Sequence, residues 1–466
     1  MKTPVALIFC VLSSIPQFAA LAGDAKEGGP LYTLQSLRKP GQVDKVSTLL
    51  EVGGDFKERV AEKTQRTPMS GVDNLVYHEM TVKADSQQPR SVRYYDKADS
   101  TVKFRDGTHA TSLAETRHLI GVAADPPAVT LFGVREPLSR DELEVIDILG
   151  NSLLLDRLLP ERPVAIGDAW KPAGNVVAAM LGLDGVTDCD VQCTLKQADQ
   201  DVARVEFSGS IQGPVNDTAT RIKLKGKYRF DRRSGRIDWF ALVTREDRDI
   251  SQVAAGFDVT VRFQTTIAPE EAPPQLAADK IARLNLESAA EASQLRYESP
   301  RDRWNVTYDR RWYLNSNDRR KAVLKLIRDG KMTGQCNIAS LPERDRTQLI
   351  SLEDYQNDIR KVLGKNFGEF VSAKEWGNAA GYRVLRVEAT GAVTDKSNEV
   401  PICWIYYHVA DEHGRQVTLT FTVEKEQLDR FAEADRAMVD SLRFPESGPE
   451  GPLAKPAANP QTRELR

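Results

Sequence analysis

The sequence predicts an α+β protein that begins with an antiparallel β meander, forming a curved sheet or half-barrel with one helix, and continues with a second part of mixed strands and helices. Strand-like runs follow one another from residue 186 to residue 267 with short polar breaks, which is typical of antiparallel neighbours. One capped amphipathic helix, beginning after Ser139, interrupts the meander. Beyond residue 295 the rhythm changes, and strands alternate with helical segments.

The composition is that of a globular protein without an unusual charge. The chain has 466 residues, with 64 basic and 67 acidic side chains and a formal net charge of −3. Hydrophobic residues make up 41% and charged residues 28%, and the length suggests two or three domains. Because a nucleic-acid footprint needs a basic excess, we expect no nucleic-acid partner.

The first 22 residues have the layout of a cleaved secretory signal. Lys2 gives a positive start, the apolar run VALIFCVL follows, and Ala20-Leu21-Ala22 offers a small-x-small cleavage pattern. The apolar run is too short to span a bilayer, which requires about 20 apolar residues. We therefore expect an extracytoplasmic protein, periplasmic or secreted, without a transmembrane segment after cleavage.

The strands of the meander differ in length. Short β-type runs at residues 81–83, 91–95 and 101–104 are separated by turn-rich pieces, and Gly53-Gly54 indicates a turn or a bulge. The later runs are longer and lie at residues 186–196, 202–211, 219–230, 237–244 and 257–267.

The helix after Ser139 begins with a capping box, in which Ser139 and Glu142 bond to each other's backbone. An apolar stripe follows and predicts one helix that ends at Pro160 and packs on the inner face of the sheet. Its members are Leu143, Ile146, Leu149 and Leu153. A second short helix is predicted at residues 175–181.

In the second part, strands are predicted at residues 304–308, 321–328, 335–341, 382–389, 401–409 and 416–423. Asp329-Gly330 is a hairpin signal. A helix begins at Ser351 and stops at Gly364. A single closing helix carries Leu428, Phe431, Met438 and Leu442 on one side.

Domain boundaries follow from proline-rich segments. Residues 268–274, APEEAPP, are stiff and have little to pack, and residues 445–466 hold five prolines. The predicted division is a signal peptide at 1–22, a flexible N-terminus at 23–42, an antiparallel β-rich domain at 43–267, a linker at 268–294, a second domain at 295–444 and a disordered tail at 445–466.

The second domain resembles the PsbP-like fold. The resemblance covers residues 295–444 and lies in an early tryptophan strand at Trp304 or Trp312, the strand at 381–389, the run Trp404-Ile405-Tyr406-Tyr407, the threonine-alternating strand at 416–423 and the ending Ser441-Leu442-Arg443-Phe444. It implies an α/β/α sandwich with an antiparallel sheet, and a binding or assembly module. The N-terminal domain, at residues 163–170 and 226–231, resembles uncharacterised exported β-rich bacterial proteins.

No catalytic, cofactor-binding or metal-binding residues are predicted. The chain has no Gly-x-Ser-x-Gly elbow. His408, Asp411 and His413 have a spacing that could bind zinc, but residues 411–414 are better explained as a turn between two strands. His109 and His118 are interpreted as surface residues, and Trp404, Tyr406 and Tyr407 as members of a central strand.

The cysteines beyond the signal are interpreted as core thiols. Cys189 and Cys193 share a strand face with Val191 and Leu195. A disulfide between Cys336 and Cys403 stays open as an alternative, since it requires that their strands are neighbours.

These observations predict an exported, non-enzymatic binding or scaffold protein of the cell envelope without a cofactor, whose partner is another envelope protein or a hydrophobic ligand. Two alternatives stay open. The first is a periplasmic carrier of a hydrophobic ligand or lipid, held in the curve of the first sheet against the helix after Ser139. The second is an unrecognised hydrolase with its cleft around His408 or His78.

Overall fold

The computed structural model describes residues 29–445, apart from 61–62, 86–87, 106, 252–254, 285, 287–292, 300–303, 319–320, 329–330, 346–347 and 396–397. The predicted signal at 1–22, the tail beyond residue 445 and the turn at Asp329-Gly330 lie outside the described residues. The protein is mostly β and is built on large antiparallel sheets.

The first sheet has twelve strands, and all its pairings are antiparallel. The strands are β1 Val43–Val60, β2 Lys63–Lys83, β3 Arg90–Phe104, β4 Gly107–Ser112, β5 Leu119–Asp125, β6 Ala128–Gly133, β7 Ala169–Trp170, β8 Asp188–Ala198, β9 Val202–Val215, β10 Thr218–Asp231, β11 Arg236–Arg248 and β12 Gly256–Pro269. Their order is β6-β5-β3-β2-β1-β12-β11-β10-β9-β8-β7, with β4 paired to β3. The first and last strands therefore meet in the middle of the sheet.

The short strand runs predicted at 81–83, 91–95 and 101–104 are parts of two long strands, β2 with 21 residues and β3 with 15. Residues 96–100, which separate two of these runs, lie within the continuous strand β3. Asp85 lies in the connection between β2 and β3, where the sequence predicted a turn. The prediction for Gly53-Gly54 was also wrong, since β1 pairs in regular register with β2 and β12 through both glycines.

Three helices cover one face of this sheet, which we call the inner face: α1 Arg140–Ile146, α2 Ser152–Leu155 and α3 Gly174–Leu181. The capping box of Ser139 and Glu142 is present. The single helix predicted to Pro160 was wrong, because the chain leaves the helix at Asp147 and turns through Gly150, whose φ is +78°. The Phe263 ring lies so close to Gly150 that a Cβ there would be 2.3 Å from it.

The predicted linker packs more than its composition suggested. After β12 it forms α4 Ala278–Ile281. Its buried Leu276 and Ile281 contact Met80 and Val92 on the opposite face of the sheet, which we call the outer face. This packing covers one end of the outer face and leaves strands β8–β12 exposed there.

The second part contains the pair β13 Gln294–Glu298 and β14 Asn305–Asp309, and a seven-stranded antiparallel sheet. That sheet has the order β15-β16-β17-β21-β20-β19-β18. Its strands are β15 Trp312–Asp318, β16 Lys321–Arg328, β17 Lys331–Leu341, β18 Phe367–Gly377, β19 Arg383–Asp395, β20 Asn398–Ala410 and β21 Gln416–Glu424. The runs near 294–298, 312–318 and 367–377 were not predicted as strands.

Helices lie on this second sheet. The helix α5 Leu352–Leu363 has the predicted cap at Ser351, and its Ile359 and Leu363 pack with Val387 of β19. The closing helix is two helices rather than one, α6 Leu428–Phe431 and α7 Ala434–Ser441, because Ala432 adopts a φ of +49° between them.

Side chains from both parts join the two large sheets. Arg140 Nη2 of α1 donates to the carbonyl of Trp312 at 3.1 Å, and Arg310 Nη2 donates to the carbonyl of Leu131 in β6 at 2.5 Å. Buried apolar residues of both sheets belong to one continuous cluster. Among the helices that the structure describes, none is long and apolar enough to cross a membrane.

Candidate functional site

A groove of about 630 Å³ crosses the outer face of the first sheet. It runs over six neighbouring strands, from β8 through β9, β10, β11 and β12 to β1. Since neighbouring strands lie about 4.8 Å apart, these six strands give it a length of about 24 Å. We call this feature the outer groove.

Two cross-strand rows of side chains line the outer groove, and the strand register sets both. The first row is Gln192, Ser208, Lys225, Val243, Arg262 and Glu51. The second row is Thr194, Glu206, Lys227, Ala241, Gln264 and Leu49. Residues two apart on each strand point to the same face, so the two rows lie side by side.

In β10, buried residues on the inner face alternate with exposed, charged residues on the outer face. Its even-numbered residues, such as Ile222, Leu224 and Tyr228, are buried against the helices of the inner face. Five successive odd-numbered residues on its outer side are basic, namely Arg221, Lys223, Lys225, Lys227 and Arg229, with Ala219 and Asp231 at the two ends of the strand. The sequence therefore places a basic stripe across the sheet.

Between the charged residues, the floor of the outer groove is apolar. Leu49 is 42% exposed, and Ala241 and Val243 are half-buried. Behind this floor, Gly226 leaves room for the Phe207 ring, because a Cβ at position 226 would lie 2.3 Å from that ring. Strand glycines are typical of bent positions and of close approach, and this one lies at the centre of the groove.

The cations of the outer groove outnumber its carboxylates. Lys196 lies 3.8 Å from Glu206, and Lys227 Nζ lies 5.5 Å from the centre of the Trp239 ring. Lys225 and Arg262 have no carboxylate of the described residues within ion-pairing distance. An ammonium and a guanidinium group therefore face the groove with their hydrogen-bonding capacity free.

On the inner face, buried apolar side chains occupy the position where the carrier hypothesis placed its ligand. Leu143, Ile146, Leu153 and Leu154 are each 4% exposed or less and pack in the same cluster as Phe263 of the sheet. The apolar stripe after Ser139 therefore packs against the sheet in the position where the carrier hypothesis expected its ligand.

The inner face also carries a buried ionic cluster. Arg93 Nε donates to Glu79 Oε1 at 2.8 Å, and Ser152 Oγ donates to Glu79 Oε2 at 2.7 Å. Burial by itself would raise the pKa of Glu79, but the charges of Arg93 and Arg38 outweigh it and lower that pKa to about 2. Because every member is enclosed, this cluster fixes α2 to the sheet rather than forming an open site.

The histidines singled out in the sequence do not form a site. His408 is 1% exposed on β20, where its Nε2 lies 2.9 Å from Gln416 Oε1, and burial lowers its pKa. Asp411 accepts from Arg415 Nε at 2.6 Å, while His413 is exposed. Within the described part of the chain, no cluster of histidine, cysteine and carboxylate residues could hold a metal ion.

The remaining sequence candidates take structural positions. His109 and His118 are half-buried, and His118 Nε2 lies 3.3 Å from the carbonyl of Leu113. Tyr407 is fully buried on β20 and contacts Phe421. His78 of β2 lies 3.1 Å from Asp96 and is buried. None of these described residues lines the outer groove.

The four cysteines that the structure describes are free thiols. Cys189 and Cys193 lie on one face of β8 with Val191 and Leu195, as the alternation predicts. The disulfide alternative for Cys336 and Cys403 was wrong, because β21 lies between their strands. Burial raises the pKa of both Cys193 and Cys403 to about 12.

Sequence reasoning missed the outer groove. The alternating basic residues of β10 were visible in the sequence as Lys223, Lys225 and Lys227. That pattern alone indicates an exposed strand face. The groove arises only when β1 joins β12 and brings Leu49 beside Gln264, a contact between distant parts of the chain.

No protein-family model matches the chain, and no curated protein matches it. Among solved structures, the outer membrane protein OprD from Pseudomonas aeruginosa is 9% identical, with 85% of this chain and 97% of that chain covered and a TM-score of 0.12. A DUF1329 family protein from Desulfovibrio piger is 9% identical, with 50% and 88% covered and a TM-score of 0.15. The translocator domain of the autotransporter NalP from Neisseria meningitidis is 6% identical, with 84% and 90% covered and a TM-score of 0.13. These TM-scores are far below the level of a shared fold.

Proposed function

We propose that this chain is an exported, non-enzymatic binding protein whose outer groove holds an anionic amphiphile with a long acyl chain. One observation carries the proposal. The same groove combines an apolar floor at Leu49, Ala241 and Val243 with the cations of Lys225 and Arg262, for which the described residues provide no carboxylate within ion-pairing distance.

The shape of the groove favours an elongated ligand. A chain lying across the strands follows the two side-chain rows over about 24 Å and contacts the apolar floor at Ala241 and Val243 of β11 and at Leu49 of β1. The aliphatic stems of Lys225 and Lys227 add apolar surface on both sides of it while their ammonium groups reach the rim. An acyl chain matches this outline because it is long, narrow and uniformly apolar.

The charges favour an acidic head group. A carboxylate or phosphate oxygen accepts strong hydrogen bonds from ammonium and guanidinium groups. Ammonium and guanidinium groups carry hydrogen-bond donors and no acceptor, so they suit the binding of an anion. The proposal is therefore one of binding, in agreement with the sequence, which predicted no catalytic residues.

A second candidate function concerns the C-terminal part. We infer that residues 295–444 form an α/β/α sandwich of the PsbP-like kind that binds an envelope protein. In support, α5 packs on one side of the second sheet while Phe431 of α6 contacts Trp312 and Phe421 on the other. Val362 and Val371, which are 78% and 55% exposed, offer an apolar contact. Affinity capture from envelope extracts tests this role, and capture of the same partners by a Val362→Asp, Val371→Asp variant would contradict it.

The groove proposal is tested by titrating the full chain with cis-parinaric acid, a fluorescent long-chain fatty acid. The variant Ala241→Phe places a ring on the groove floor and is expected to weaken binding about tenfold or more, since it occupies the ligand's space. The matched control is Ala219→Phe, an exposed outer position of β10 beyond the groove. Equal affinity in all three proteins would contradict the proposal.

A further inference from the structure

A second cavity, of about 290 Å³, lies on the second sheet beneath α7. Strands β18, β19 and β20 form its base, and α7 forms one wall. From its side chains we propose that it binds a small organic anion that carries a flat, apolar group. This site is separate from the outer groove and does not depend on the function proposed for it.

The residues at the base of the cavity are neighbours across three paired strands. Lys374 of β18 lies directly opposite Arg386 of β19, and Arg386 lies directly opposite Tyr407 of β20. Trp376 lies two residues beyond Lys374 on the same face and contacts the Tyr407 ring edge-to-face with 6.5 Å between ring centres. A cationic row and an aromatic wall therefore meet at one point.

Arg386 is held rigidly at the back of the cavity. Its Nη1 donates to Glu388 at 2.9 Å and to Ser372 Oγ at 3.2 Å, and its Nε donates to the Tyr407 hydroxyl at 2.9 Å. Its Nη2 has a single acceptor among the described residues, Asp435 at 3.3 Å. A guanidinium has five N–H groups, so one N–H on Nη2 stays available for a ligand.

Two more cations face the same space. Lys374 is exposed and has no ion-pair partner in the part of the chain that the structure describes. Arg436 of α7 donates from Nη1 to Glu433 at 2.8 Å, and its other N–H groups have no acceptor among the described residues. The carboxylates of Glu388 and Asp435 are engaged by Arg386, and Glu433 pairs with Arg436. Asp440 also lines the cavity, so Lys374 is the cation of this site that has no carboxylate of the described residues within ion-pairing distance.

These contacts define the ligand class. Anionic oxygens on one end of a molecule can accept from Arg386, Lys374 and Arg436 together, which suits a carboxylate or a phosphate monoester. The Trp376 ring is half-buried beside them and offers a face for a flat apolar group. A cavity of this size is at the lower end of ligand sites, so the ligand is small.

The experiment titrates the full chain with benzoate and, separately, with phenyl phosphate, followed by ligand-detected saturation-transfer NMR. We expect saturable binding of at least one probe, weakened about tenfold or more in the variant Lys374→Ala, Arg436→Ala, which removes two charge-assisted contacts from exposed positions. The two probes separate carboxylate from phosphate recognition. Arg386 is left unchanged because its buried ion pairs support the fold.

Three controls complete the test. Lys361→Ala removes an exposed lysine of α5 outside the cavity and is expected to leave binding unchanged. Trp376→Phe keeps a ring and is expected to weaken binding less than the double variant does. The groove variant Ala241→Phe is expected to bind both probes like the unmodified chain. The inference is overturned if neither probe binds saturably, or if the double variant binds as tightly as the unmodified chain.

Discussion

Glu79 of β2 lies directly opposite Arg93 of β3, and the two side chains, 1% and 3% exposed, meet at 2.8 Å on the inner face of the first sheet. Ser91 Oγ donates to the same carboxylate at 2.8 Å, and Arg38 Nη1 lies 3.6 Å from it. This cluster joins strands, the N-terminal segment and α2 in one place. A buried ion pair of this kind is stabilising only while both partners are present.

We therefore predict that Glu79→Gln lowers the free energy of unfolding by about 3 kcal/mol or more, because it leaves the buried Arg93 without a compensating charge. Urea unfolding followed by circular dichroism measures the change. The control is Glu51→Gln, an exposed position on the outer face of β1, which is expected to change stability by less than about 0.5 kcal/mol.

The pH dependence of stability follows from the same carboxylate. Arg93 and Arg38 lower the pKa of Glu79 from 4.5 to about 2 against the opposing effect of burial. Since the folded pKa is lower than the unfolded one, the contribution of Glu79 is complete above about pH 5 and is lost as the pH falls toward 2. Between pH 7 and pH 3, the free energy of unfolding should therefore decrease more steeply for the unmodified chain than for Glu79→Gln. Parallel curves would contradict this assignment.

Two adjacent glycines of β1 give a matched pair. A Cβ at Gly54, whose φ is +151°, would lie 2.2 Å from the carbonyl oxygen of Asp258, whereas a Cβ at Gly53 would meet nothing within 4 Å. We predict that Gly54→Ala lowers the free energy of unfolding by about 2 kcal/mol, and that Gly53→Ala changes it by less than about 0.5 kcal/mol. Thermal unfolding of the two variants measures these changes. A similar loss of stability in both variants would show that the close approach of β12 is not the reason for glycine at position 54.

Thiol chemistry tests the order of the second sheet. Cys336 pairs with Phe421 and Cys403 pairs with Val423, so β21 separates them. We predict that the unfolded, unreduced chain shows all four of Cys189, Cys193, Cys336 and Cys403 as free thiols. In the folded protein Cys189 should react first, since it is half-buried while Cys193, Cys336 and Cys403 are buried. Burial raises the pKa of Cys189 as well, and it raises the pKa of Cys193 and Cys403 to about 12. A count of two free thiols instead of four in the unfolded chain would reveal a disulfide and contradict the strand order of the second sheet.

The sequence predicted the elements whose signals are local. The strands from β8 to β12 and the caps at Ser139 and Ser351 were found because alternation and capping depend on neighbouring residues. The break between α1 and α2 was missed because it depends on Phe263, which contacts Gly150 from a distant strand. The packing of Leu276 and Ile281 was missed because their contacts also come from distant strands, and a proline-rich composition hid them.

The candidate site was predictable only in part. The basic alternation of β10 shows that Lys225 and Lys227 share an exposed face. That Leu49 and Arg262 join them depends on the meeting of β1 and β12, which no local pattern specifies. The carrier hypothesis placed its ligand on the inner face of the first sheet, whereas the groove proposed here lies on the outer face of the same sheet.

The head-group contact leads to a further prediction. The variant Lys225→Ala, Lys227→Ala should bind a long-chain fatty acid about tenfold more weakly, because it loses charge-assisted contacts. It should weaken the binding of the neutral alcohol of equal length much less, because the alcohol loses only the contacts with the aliphatic stems. Added salt should weaken the binding of the acid to the unmodified chain. Isothermal titration calorimetry measures both ligands. Lys103→Ala, an exposed lysine of β3, is the matched control, and an equal loss in that variant would argue against a specific head-group site.

The most direct test of the outer groove is photo-crosslinking with a fatty acid that carries a diazirine near the end of its chain, followed by mass spectrometry of the digested protein. We predict adducts on peptides of β8 to β12 and β1, concentrated at outer-face residues such as Val243 and Leu49, and a strong reduction in Ala241→Phe. Adducts on α1, α2 or α3, or a pattern that Ala241→Phe leaves unchanged, would contradict the assignment of the ligand to this groove.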